Sequence, residues 1–97
     1  MLYKLVSILH SGRKGTRDTP VNDAKYEGLI GATVKFDVKN ILQYESFHFD
    51  ILRSDSPYKY TWWETSSVLG VWVGQDTGHI RVETANSIYC FDRLEET

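Results

Sequence analysis

The 97-residue sequence has one cysteine, one methionine and two prolines, and its longest apolar run is Val68-Leu-Gly-Val-Trp-Val73, interrupted by a glycine. One cysteine excludes an internal disulfide framework, so the fold must hold through its core alone. The apolar run is far short of the roughly 20 residues that a membrane helix needs. The opening Met1-Leu-Tyr-Lys-Leu-Val-Ser-Ile-Leu9 lacks a basic lead, a long apolar stretch and a cleavage site, and reads as structure rather than as a signal peptide. Together these absences give the reducing cytoplasm as the expected compartment. Charge of one sign is also scarce. A formal net charge of −2 excludes the broad basic surface with which proteins grip long nucleic acid. No glycine-rich dinucleotide fingerprint or phosphate-loop motif occurs, and no Cys-x-x-Cys or His-x-x-x-His pair.

What is present is an ordinary globular composition, 41% hydrophobic and 25% charged, in a length that suits one domain over residues 1–97. Aromatics stand out at 13%, with six Tyr, four Phe and three Trp. The charges are unevenly placed: residues 1–39 hold seven Lys or Arg against four Asp or Glu, and residues 40–97 hold four against nine. The acids of the last residues, Asp92, Glu95 and Glu96, read as a solvated tail.

Apolar and polar residues alternate over short runs bounded by Gly, Asn, Asp and Ser, which predicts strands almost throughout. Residues 2–10 form the first. A glycine-punctuated loop of about a dozen residues follows, long enough in a small domain to suggest function. Asn22 is placed to cap one helical turn over residues 24–27, which Gly28 and Gly31 would stop. Residues 33–39 alternate cleanly, with Val34, Phe36 and Val38 on one face. Phe47, Phe49 and Ile51 mark the next buried face, and Ser54-Asp-Ser-Pro57 a turn. Residues 58–64 and 67–73 read either as two strands or as one bent strand with a break near Thr65-Ser-Ser67. Gly74-Gln-Asp-Thr-Gly78 has hairpin chemistry, and Ala85-Asn86 reads as a two-residue turn with Asn86 at positive φ. Six or seven short strands without βαβ alternation predict an all-β fold, a small antiparallel, SH3-like, partly open barrel. The alternative is an OB-like barrel or a β-roll with one short helix.

The C-terminal third, Thr65-Ser-Ser-Val-Leu-Gly-Val and then Gly78-His-Ile-Arg-Val-Glu-Thr-Ala-Asn-Ser-Ile-Tyr-Cys-Phe91, resembles a pattern of small β-domain proteins of Firmicutes and their phages. The shared skeleton is Thr-Ser-x-Val, a hairpin, then Thr-x-Asn-Ser-x-Tyr. The resemblance implies a small β domain of bacterial or mobile-element source; it carries no activity and no functional residue.

His10, His48, His79 and Cys90 are too scattered for a local metal site, and Cys90 reads as a buried thiol acting as a small apolar group. The acids occupy polar positions of alternating strands, where solvation is the default, so no catalytic constellation and no cofactor is expected. Two features point to binding. Gly12-Arg-Lys-Gly-Thr-Arg17 joins flexible backbone amides to Arg13, Lys14 and Arg17, a combination suited to an anion. Tyr58-Lys-Tyr-Thr-Trp-Trp-Glu64 must send Trp62 and Trp63 to opposite faces. Grouping Tyr58, Tyr60 and Trp62 inward leaves Trp63 partly exposed beside Lys59; the opposite assignment is also open. The expected function is a non-enzymatic module that binds a compact anionic or aromatic ligand, such as a nucleotide, through Arg13, Lys14, Arg17, Lys59 and Trp63. The alternative is a protein-interaction or inhibitor domain that presents an aromatic patch or a strand edge to a partner or to a second copy.

Overall fold

The computed structural model describes residues 1–23, 26, 28–55 and 60–94. Six strands follow in order: β1 (Leu2–His10), β2 (Thr33–Lys35), β3 (Ser46–Arg53), β4 (Trp62–Val73), β5 (His79–Thr84) and β6 (Ser87–Arg93). Each pairs antiparallel with the next, and β6 returns to β1, so the all-β barrel closes fully. Closure rests on the length of β1. Its first residues pair with β2 on one side, and Tyr3 through His10 pair with β6 on the other.

Four register shifts interrupt the ladders, and two of them show how apolar side chains stay inward along strands that must bend. At Val6 an extra residue enters β1, so Tyr3, Leu5 and Ile8 share the inner face despite the odd spacing. A second shift falls in β4 opposite Phe47, where Thr65 Oγ1 accepts from the Phe47 amide at 3.1 Å and donates to the Ser66 carbonyl at 2.7 Å. The anticipated break at residues 65–67 is this bulge, within one continuous strand. Beyond it Val68 is again fully buried.

The core is aromatic at its centre. The ring of Phe91 meets Tyr3, Phe36, Phe47 and Phe49 edge-on at centroid distances of 6.4, 4.9, 6.1 and 5.5 Å. Such geometry places positive ring edges on negative faces and adds to the burial of area. Tyr3 stacks on Phe36 at 4.2 Å.

Some local expectations are corrected. β2 ends at Lys35, not at residue 39. Phe36 still turns into the core, but the Asp37 side chain accepts from the Lys39 amide and caps a 3-10 turn, Val38–Asn40. Asn86 does not take positive φ; only Asp18 and Tyr44 do among the described non-glycine residues. The turn over residues 85 and 86 is instead closed by Thr84 Oγ1, which accepts from the Ser87 amide and donates to the Ser87 carbonyl. Cys90 is half-exposed on the outer face, beside Ser7 and Arg81, rather than buried. The anticipated helical turn over 24–27 and the turn over 54–57 lie partly outside the described residues.

Candidate functional site

The long loop after β1 is not a free excursion. The chain folds back along the strand, with the His10 amide donating to the Thr19 carbonyl at 2.8 Å, Asp18 to His10 at 3.0 Å and Val21 to Ile8 at 3.0 Å. Asp18, at φ 65°, makes the reversal. Gly15 permits it, since a Cβ there would stand 2.7 Å from the His10 ring. Two crossed ion pairs fasten the loop to β5: Arg17 to Glu83, and Arg81 to Asp18 at 2.6 Å. Arg17 also donates to the Ser11 carbonyl. The hydrogen bond to Glu83 holds the Arg17 guanidinium above its ordinary pKa.

The three loop cations anticipated from sequence therefore separate. Arg17 is already neutralised by Glu83 and serves the loop's attachment. Arg13 is exposed on the loop. Lys14 borders a depression of about 290 Å³ together with His10, Asn22, Asp23, Tyr26 and Asn86. Asn86 is fixed by its backbone N–H, which donates to Ser66 Oγ at 3.2 Å, and the loop is tied to the same turn by Ser11 Oγ, which donates to the Ala85 carbonyl at 2.9 Å. Val21, Asn22, Asp23 and Tyr26 also line a more apolar cleft of about 420 Å³, floored by Ile8 and Leu9 and flanked by Pro20 and Ile30. The two hollows thus share a wall, one side cationic and polar, the other apolar.

Lys59 lies outside the described residues, and Trp63 is placed differently from the first grouping. Trp63 pairs with the inward-facing Phe49 in the β3–β4 ladder and so shares its face, whereas Trp62 pairs with the outward Asp50. The indole of Trp63 packs against Tyr26 and Tyr60 at 5.3 and 5.1 Å, and its Nε1 donates to Tyr89 Oη at 3.1 Å. Burial raises the Tyr89 phenol well above the ordinary value of 10.0. Trp62 is the exposed indole, at 53%, stacked on His48 at 5.4 Å. The alternation failed as a guide because β4 starts at Trp62, so Tyr60 precedes the strand and follows no strand parity.

Sequence reasoning did not connect His10, Asn22, Tyr26 and Asn86 as one site. Nothing local could have, because Asn86 reaches the loop only through the β5–β6 turn, more than 60 residues along the chain. Among the described residues there is no group of three or more side chains suited to a metal ion, and no helix is long and apolar enough to cross a membrane. The chain matches no family profile, curated protein or solved structure.

Proposed function

We propose that the protein is a non-enzymatic binding module for a compact anionic ligand, such as a nucleotide, held where the β1 loop meets the β5–β6 turn. The observation that carries this reading is the convergence of Lys14 with His10, Asn22 and Asn86 on one depression. Lys14 supplies the positive charge for an anionic group, and the imidazole and amides supply directional hydrogen bonds. The adjoining cleft beside Tyr26 and Ile30 offers apolar cover for a ring. With Lys14 the one cation at the depression among the described residues, the reading favours a single anionic end over a polyphosphate.

Isothermal titration with nucleoside monophosphates, nucleoside triphosphates and inorganic phosphate tests this. The expected result is saturable binding of a monophosphate that weakens as salt rises. Lys14→Ala is expected to weaken it at least tenfold, and Arg17→Ala by clearly less, because Arg17 is occupied by Glu83 and acts only through the loop's attachment. Absence of binding by every probe, or equal affinity in Lys14→Ala, would overturn the reading.

A further inference from the structure

His10 ends β1 and is held there on both sides: its amide donates to the Thr19 carbonyl at 2.8 Å, and its carbonyl accepts from the Asp18 amide at 3.0 Å. The ring is confined as well. It lies over Gly15, where a Cβ would stand 2.7–2.8 Å from Cγ, Cδ2 and Nδ1, and it borders the depression with Lys14, Asn22 and Asn86. The three histidines differ in their company. His48 meets Asp50 at 3.2 Å and His79 meets Asp92, whereas neither ring nitrogen of His10 has a hydrogen-bond or ion-pair partner among the described residues. The charged and titratable groups that face it are Lys14, Asp23 and Tyr26, around the same depression. Asp18 directs its carboxylate to Arg81, and Arg17 its guanidinium to Glu83. From β6 and the turn before it come Ser87 and Asn86, neither of which titrates.

Imidazole is the side chain whose charge changes between about pH 5 and 8. A proton on His10 sets a second positive charge beside Lys14, with no carboxylate bonded to that ring to offset it. Resting on the reading of this depression as the seat of the ligand's anionic end, we propose that His10 makes binding proton-linked, the imidazolium and Lys14 holding the anion together at lower pH. The sign follows from linkage. An anion favours the charged ring, so the bound site takes a proton from solvent onto His10 where the empty site leaves it neutral, and affinity rises as pH falls. One further unit charge about 4 Å from an anion in watery surroundings corresponds to about a fivefold gain. His48 and His79 already face carboxylates and stand outside the depression, so they lack this coupling.

Isothermal titration from pH 5.5 to pH 8.5 tests this with adenosine 5′-sulfate, whose single charge is constant over that range, unlike a phosphate monoester that takes up a proton at about pH 6. Adenosine 5′-monophosphate at pH 8.5 tests the site itself. The sulfate is expected to bind at least about fivefold more tightly at pH 5.5 than at pH 8.5, with an enthalpy that varies with the buffer's own ionisation because a proton is taken up. His10→Gln keeps a hydrogen-bonding side chain that cannot charge, and should hold the affinity near the wild-type pH 8.5 value throughout. A further reading needs no variant: NMR of the wild type should show the midpoint of the His10 ring's titration moving up on saturation, with those of His48 and His79 unmoved. Equal affinity of the sulfate at the two limits, full pH dependence in His10→Gln, or an unmoved His10 midpoint contradicts the linkage, and monophosphate binding at pH 8.5 would still leave the site standing. Absence of binding by both ligands contradicts the site and the linkage alike.

Discussion

At the scale of single residues, the clearest consequences come from Tyr89. It is 3% exposed, and this burial outweighs the opposing hydrogen bond donated by Trp63, so its phenol stays protonated in the fold at pH values where the unfolded chain has released the proton. The unfolded state then binds fewer protons than the native state, and stability falls as pH rises. The contribution is intact below about pH 10, and above it the loss proceeds at about 1.4 kcal/mol per pH unit for this group. Tyr3 acts in the same direction, since burial raises its phenol too. Urea unfolding at pH 8 and pH 11 is expected to show this decline. Tyr89→Phe should flatten it, at a cost of about 1 kcal/mol at neutral pH for the hydrogen bond that Trp63 loses. An equal alkaline slope in the variant would contradict the burial argument. The residue scale is also where the sequence is least informative. Whether Trp62 or Trp63 faces inward depends on pairing register with Phe49, which neither indole's neighbours encode. Asn86 has the chemistry of a left-handed turn residue, yet Thr84 Oγ1 supplies the bonds that close the turn and makes that conformation unnecessary.

At the scale of elements, the β1 loop is a docked structure, held by backbone hydrogen bonds along β1 and by two ion pairs to β5. Arg17 pairs with Glu83 and Asp18 with Arg81, two crossed charges between adjacent loop residues and alternate residues of β5. Reversing the charge at position 17 sets a carboxylate against that of Glu83. Arg17→Glu is therefore expected to speed exchange of the Asp18 amide, which bonds the His10 carbonyl, and of the His10 amide, which bonds the Thr19 carbonyl, and to weaken ligand binding through displacement of Lys14. Combining Arg17→Glu with Glu83→Arg should restore both. Failure of the second change to rescue the first would show that the ion pair does not hold the loop. Element existence was legible here, because β3 and β5 carry a two-residue period bounded by turn chemistry, and β1 and β6 are rich in β-branched and aromatic residues. The same period overstates β2. Its alternation through residue 39 continues into a 3-10 turn, where Val38 still packs against the core from a different backbone shape.

At the scale of the whole molecule, the barrel is one aromatic core closed by pairing between the first and last strands. Phe91 sits at its centre, 1% exposed, touching rings from β1, β3 and the end of β2. Phe91→Ala is expected to cost about 3–5 kcal/mol, a large part of the roughly 5–15 kcal/mol typical of a domain. A loss below about 1 kcal/mol in denaturant unfolding would mean that the core is not organised around that ring. The all-β antiparallel class followed from the period and spacing of the strands. Full closure and the meeting of the β1 loop with the β5–β6 turn did not, since both depend on register between strands far apart in the chain. The charge division seen in the sequence does not decide the docking, since Arg17 pairs with Glu83 and Asp18 with Arg81 in opposite senses, and Lys14 is left to face the depression. The most direct test of that account is an ¹⁵N NMR titration with a nucleoside monophosphate. Shifts gathered at His10, Lys14, Asn22 and Asn86 are the predicted result; shifts centred on Trp62 and His48, or none at all, would contradict it.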